Sequence, residues 1–125
     1  MIKLTFCLIR LPTLTREAFQ DYWFNTHAPL VASVAETLKI RRYVQMHSLP
    51  EDLQTGGGAR NSPPGYDGVA QLWWDSLETL AENGRRPEAQ AAGAMLLEDE
   101  KRFIDLPRSP LWWGQERVVV GRLTD

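Results

Sequence analysis

The chain has 125 residues, 43% of them apolar and 24% charged, and a net charge of −2. A length in this range fits one domain, residues 1–125, with a core that needs neither disulfides nor a metal to hold it. The basic residues are scattered, in short pairs such as Arg41-Arg42 and Arg85-Arg86. They give no phosphate-tracking stripe, so nucleic acid is not an expected partner.

The first segment, MIKLTFCLIRLP, alternates in polarity, carries Arg10 within its apolar stretch and lacks a small-residue cleavage site. It reads as a strand over Ile2 to Leu11 rather than a leader peptide. No apolar run approaches the ~20 residues of a membrane span, so a cytoplasmic protein is expected. Cys7 is the only cysteine, which suits a reducing compartment, and it reads as a small buried apolar residue.

Thr15 can cap a helix that has Glu17 in its first turn. Phe19 and Trp23 lie four apart on one face, with His27 a further step along. Pro29 interrupts the backbone ladder there, so the helix expected over Thr15 to Leu38 bends near His27. A second strand follows over Ile40 to Ser48, with Tyr43, Gln45 and His47 on one face. The stretch from Pro50 to Gly65 is dense in Gly and Pro and reads as a mobile loop of the kind that closes or binds.

Asp67 to Trp74 gives a third strand, with Val69, Gln71 and Trp73 on one face and Ala70, Leu72 and Trp74 on the other. Asp75 or Ser76 caps a short helix that Gly84 ends. A longer helix is expected over Arg86 to Ile104. Pro107 and Pro110 mark a loop, and the last strand is expected over Gln115 to Leu123, centred on Val118 to Val120.

The order β-α-β-β-α-β predicts an α+β, ferredoxin-like domain with a four-stranded antiparallel sheet. Both long helices would cover one face. The strands carry apolar residues on both faces, so the second face also needs a cover. Pairing of two copies through their sheet faces, as a homodimer, would supply one.

Four segments resemble the EthD family: FQDYWFNTHAPLV (Phe19 to Val31), RRYVQMH (Arg41 to His47), YDGVAQLWWDS (Tyr66 to Ser76) and EDEKRFID (Glu98 to Asp105). They span nearly the whole chain in the family's order. The resemblance implies a dimeric α/β barrel with a small-molecule pocket in each subunit, between sheet and helices. It also implies a link to ether degradation or polyketide tailoring, and the family is sometimes filed under the oxidoreductases.

His27 is the leading catalytic candidate, because histidine moves protons near neutral pH; otherwise it holds the helix kink. Tyr43 and His47 share a strand face and could bind or protonate a substrate if that face lines the pocket. If it meets a partner, they are interface residues. Tyr22 could donate a hydrogen bond to a ligand. Asp99, Glu100 and Asp105 surround Phe103 and read as solvated charges, unless one orients His27, with Asp99 favoured. Trp23, Trp73 and Phe103 could wall an apolar pocket.

Two distant histidines make no metal site, and neither a phosphate loop nor a dinucleotide fingerprint is present. The residues therefore point to a cofactor-independent enzyme using acid–base chemistry on a small phenolic, lactone or polyketide-like substrate. A non-catalytic ligand-binding accessory protein of the same kind of pathway is the alternative, with a monooxygenase-like oxidoreductase as the reading the family filing adds.

Overall fold

Alternation along the first strand sets the two faces of the sheet. In the computed structural model, which describes residues 1–121, β1 (Ile2–Leu8) pairs antiparallel with β3 (Gly68–Trp74), and β3 with β2 (Arg42–His47). The other edge of β1 takes β4 (Leu111–Gly114). The sheet order is β2-β3-β1-β4. In this register Leu4, Leu72 and Tyr43 form one cross-strand row, Phe6, Ala70 and Gln45 the next, and Leu8, Gly68 and His47 the third. These rows face the helices. The outer face carries Trp73 with Arg42, Gln71 with Val44, and Cys7 with Val69 and Met46.

The helical layer is α1 (Arg16–Tyr22), a π-helical turn (Trp23–His27), α2 (Ala28–Val34), α3 (Leu77–Asn83) and α4 (Pro87–Glu100). Thr15 caps α1 through the Ala18 amide at 3.1 Å, and Ser76 caps α3 through the Thr79 amide at 3.2 Å. The core joins Phe6, Leu8 and Ala70 of the sheet to Phe19, Trp23, Phe103 and Ile104. Burying one such Leu or Phe side chain contributes roughly 1.5–3 kcal/mol. The α+β, ferredoxin-like architecture expected from the element order is the one found.

Several boundaries differ. The first long helix ends at Val34 rather than Leu38, and the chain leaves it through a turn in which the Ile40 amide reaches back to the Ala35 carbonyl at 2.9 Å. β1 stops at Leu8, because the next amides leave the ladder for side chains: Ile9 N–H donates to Ser109 Oγ at 2.9 Å and Arg10 N–H to Asp67 Oδ2 at 2.8 Å. Asp67, expected to open the third strand, is thus a buried anchor gripped by Arg10 and Arg16, and β3 begins one residue later. The long helix ends at Glu100 rather than Ile104, which bridges back to Arg10.

The largest correction concerns the last strand, which is Leu111–Gly114 and not Gln115 to Leu123. Pro110 already accepts from the Cys7 amide at 2.9 Å, so pairing with β1 begins directly after it. Val119 and Val120 are each 92% exposed. β-branched residues make a strand only where a neighbouring strand and a packed face receive them. Arg122 and Leu123 lie outside the described residues. Trp112 and Trp113 lie inside the last strand.

Gly68 is fixed by close approach. A Cβ there would collide with the Trp23 ring and stand 2.8 Å from the Met46 carbonyl oxygen. Gly68→Ala is expected to destabilise the fold by about 1–3 kcal/mol, read as a lower urea midpoint with unchanged slope. A midpoint equal to that of the parent would show that Trp23 can move aside.

Candidate active site

Pro29 has no N–H to continue an i→i−4 ladder. Just before it the first long helix widens into the π-helical turn, in which the Ala28 amide reaches back to the Trp23 carbonyl. Single π turns of this kind re-aim side chains. Here Trp23 and His27 are both buried, and His27 is only 5% exposed.

His27 Nδ1 lies 2.8 Å from Asp99 Oδ2, and Tyr22 Oη donates to Asp99 Oδ1 at 2.6 Å. Burial works to raise the Asp99 carboxyl. Hydrogen bonds from Tyr22 and His27, with Arg102 nearby, outweigh it and hold the group below its ordinary range. An ionised Asp99 can only accept, so Nδ1 carries the hydrogen and Nε2 is left with its lone pair. Burial pushes the His27 pKa below 6.5, partly offset by Asp99. His27 is therefore a neutral base at neutral pH.

His27 opens on a cavity of about 210 Å³ between the sheet and the helices, walled mainly by apolar side chains that include Trp23, Leu72, Trp74 and Leu96. Tyr43 and Glu100 are its other polar groups. Burial, with the Asp99 charge alongside, pushes the Glu100 carboxyl up to about 7. A neutral imidazole and a carboxyl with a raised pKa thus share one apolar space.

Of the expected site residues, Trp23, His27 and Tyr43 line the cavity. Asp99 and Tyr22 stand behind His27. Phe103 is fully buried beneath the Tyr22 and His27 rings, with centroids 5.1 and 5.0 Å away, and supports the site without lining it. His47 does not reach the cavity. It stacks on Trp23 at 4.5 Å and lines a separate open cleft beneath the loop that runs from Pro50 to Gly65.

Trp73 is a correction. It lies on the outer face, where its Nε1 donates to Glu116 at 2.6 Å and Lys3 and Arg42 stack on its ring. Its neighbour Trp74 takes the cavity position. The phase of a Trp-Trp pair in a strand is set only by the pairing, here Ile2 opposite Trp74.

The residue that sequence reasoning passed over is Glu100, taken as one of three charges around Phe103. The available signal was its spacing: Glu100 lies four residues after Leu96, on the stripe facing the sheet. Among the described residues no three His, Cys, Asp or Glu side chains gather as a metal site, and no helix is long and apolar enough to cross a membrane.

The EthD domain family model matches residues 11–107. Two curated fungal relatives are similar over most of their length. The dehydratase UstZ of Ustilaginoidea virens is 26% identical, covering 93% of this chain and 85% of the relative. A conidial pigment biosynthesis dehydratase, EthD, of Metarhizium robertsii is 27% identical, covering 91% and 81%. Both are called dehydratases, which differs from the oxidoreductase filing that the resemblance carried.

Among solved structures, an EthD family protein of Bacillus halodurans superposes with a TM-score of 0.60 at 21% identity, covering 94% of this chain and 100% of that one. A dimeric protein of Bacteroides fragilis with a ferredoxin-like fold superposes at 0.57 and 10% identity, covering 92% and 95%.

Proposed function

The chain belongs to the EthD family, and from that premise we propose that it is a tailoring-pathway enzyme that removes water from a small oxygenated molecule by acid–base chemistry. The observation that carries this reading is the buried His27–Asp99 pair at 2.8 Å, opening on the same apolar cavity as Glu100. The relatives' names, both dehydratases, support the same class.

Water elimination needs one group to take a proton from carbon and another to give a proton to the departing hydroxyl. In this reading His27 Nε2 takes the first proton. Asp99 then stabilises the imidazolium, and Tyr22 holds Asp99 in position. Protonated Glu100 delivers the second proton as the C–O bond breaks and C=C forms. Water leaves, and exchange with solvent returns the proton from His27 and reprotonates Glu100. Trp23, Trp74, Leu72 and Leu96 exclude bulk water and hold an apolar substrate body.

The test is to incubate the protein with a panel of hydroxylated ketones, esters and lactones and follow products by mass spectrometry. Loss of one water from at least one compound is expected. Saturable binding with no product from any of them would favour the accessory-protein reading, which the apolar cavity also accommodates.

The partner in this reading is a second copy of the chain. Val44, Met46, Val69 and Trp112 form an apolar outer sheet face, and Met46 and Trp112 are each 52% exposed. A ferredoxin-like neighbour is described as dimeric. Placing a charge in this face, as in Val44→Lys, is expected to convert a dimer to a monomer in light scattering while leaving the far-ultraviolet circular dichroism unchanged. A parent protein that is monomeric across the concentrations tested would remove the homodimer.

A further inference from the structure

A chain of hydrogen bonds along β2 fixes where the Tyr43 hydroxyl can point. Gln45 Nε2 lies 3.0 Å from the Trp23 carbonyl oxygen, which can only accept, so this atom is the amide nitrogen. The same nitrogen lies 2.7 Å from Tyr43 Oη. A carboxamide nitrogen only donates, so Tyr43 accepts from it. The Gln45 carbonyl oxygen must then receive a hydrogen, and His47 Nε2 supplies it at 2.7 Å. His47 is held for that task by stacking on Trp23.

Tyr43 Oη is therefore an acceptor toward β2, which leaves its own hydrogen free for an acceptor in the cavity the residue lines. That cavity is walled almost wholly by carbon. A donor aimed into such a space is a recognition element for an acceptor that arrives with the ligand.

We propose that Tyr43 binds the carbonyl oxygen of the substrate, and that the substrate class is a β-hydroxy ketone built on one ring. The volume sets the ring count. An apolar cavity of about 150 Å³ holds benzene, so about 210 Å³ takes one substituted ring. The carbonyl sets the chemistry. Removing the proton alpha to it at His27 builds negative charge on the carbonyl oxygen, where the Tyr43 hydrogen bond strengthens. Collapse of that enolate expels the β-hydroxyl, which takes its proton from Glu100: one C–H and one C–O bond break, one C=C bond forms, and water leaves.

Gln45 is a positioning residue in this scheme and His47 positions Gln45. This assigns the polarity of the strand face to orientation rather than to proton transfer by His47. The β-hydroxyl rests on the dehydratase reading; carbonyl recognition by Tyr43 does not.

The test is therefore a binding measurement without turnover, using acetophenone and its hydrocarbon isostere α-methylstyrene. The wild-type protein is expected to prefer the ketone by several-fold to about tenfold, the worth of one neutral hydrogen bond. The bound carbonyl stretch should move to lower frequency than in an apolar solvent. Tyr43→Phe should abolish both the preference and the frequency shift.

Gln45→Glu keeps the phenol but offers it a carboxylate, which draws its hydrogen away from the cavity, and should also lose the preference. A wild-type protein that binds neither probe, shows no ketone preference, or keeps its preference in Tyr43→Phe would overturn the proposal. Carbonyl recognition without dehydration of any β-hydroxy ketone would leave Tyr43 as assigned and remove the catalytic reading instead.

Discussion

Replacing His27 with alanine is expected to lower turnover by ~10²-fold or more while the protein stays folded. The loss should fall on kcat, because the ring acts on a proton in flight and not on the ground-state body of the substrate. His27 packs 5.0 Å from Phe103 and engages Asp99, so some stability goes with it. Removing one partner of a buried hydrogen bond costs about 1–3 kcal/mol. Tyr22 still donates to Asp99 in the variant, which limits the damage. Urea unfolding followed by circular dichroism separates the two effects.

Asp99→Asn sharpens the test. The asparagine amide can donate to Nδ1, which would force the hydrogen onto Nε2 and leave the ring with no lone pair facing the cavity. A comparable loss of turnover is expected with little loss of stability. Turnover equal to wild type in folded His27→Ala would end the acid–base reading and leave His27 as the residue that ties the π turn to α4.

The two parts of the molecule differ in how far they could be read from sequence, and the reason is physical. Strand alternation and the Phe19–Trp23–His27 spacing are local signals, and they placed the first three strands, the start of the first long helix and the buried face carrying His27. Pro29 announced an irregularity, although not that the helix would widen to a π turn before it rather than kink at it.

Signals that depend on a partner strand were ambiguous. Trp73 and Trp74 are equal candidates for the inner face until Ile2 pairs with Trp74. Val118 to Val120 have the highest strand propensity in the C-terminal region, yet Leu111–Gly114 occupies the edge of β1. The acid of the site was hidden for a third reason. A Glu in an acidic helix end looks solvated, and only the packing of α4 against the sheet turns Glu100 into a half-buried carboxyl that lines the cavity.

Glu100→Gln is expected to raise stability and lower activity together. In the unfolded chain the Glu100 carboxyl titrates near 4.5, and in the fold near 7, so the folded state holds the proton more tightly. Stability is therefore present in full below the unfolded value and is lost as pH rises through the folded one. The loss is at most about 3 kcal/mol above pH ~8.

Glutamine keeps the shape and carries no charge, so the variant should match wild type near pH ~4 and exceed it by up to that amount near pH ~8. Activity should move the other way. The wild-type pH profile is expected to be bell-shaped, rising as His27 loses its proton below 6.5 and falling as Glu100 loses its proton near 7. In Glu100→Gln the rate should drop by ~10²-fold and the alkaline limb should disappear.

Neither readout alone is decisive, because any buried carboxyl would give the stability gain. A gain in stability with unchanged turnover would make Glu100 a buried charge without a task. A gain in stability with lost turnover would identify a group whose cost to the fold is retained because the reaction requires its proton. No gain at high pH would mean that the carboxyl is not raised, and the assignment of the acid would fall with it.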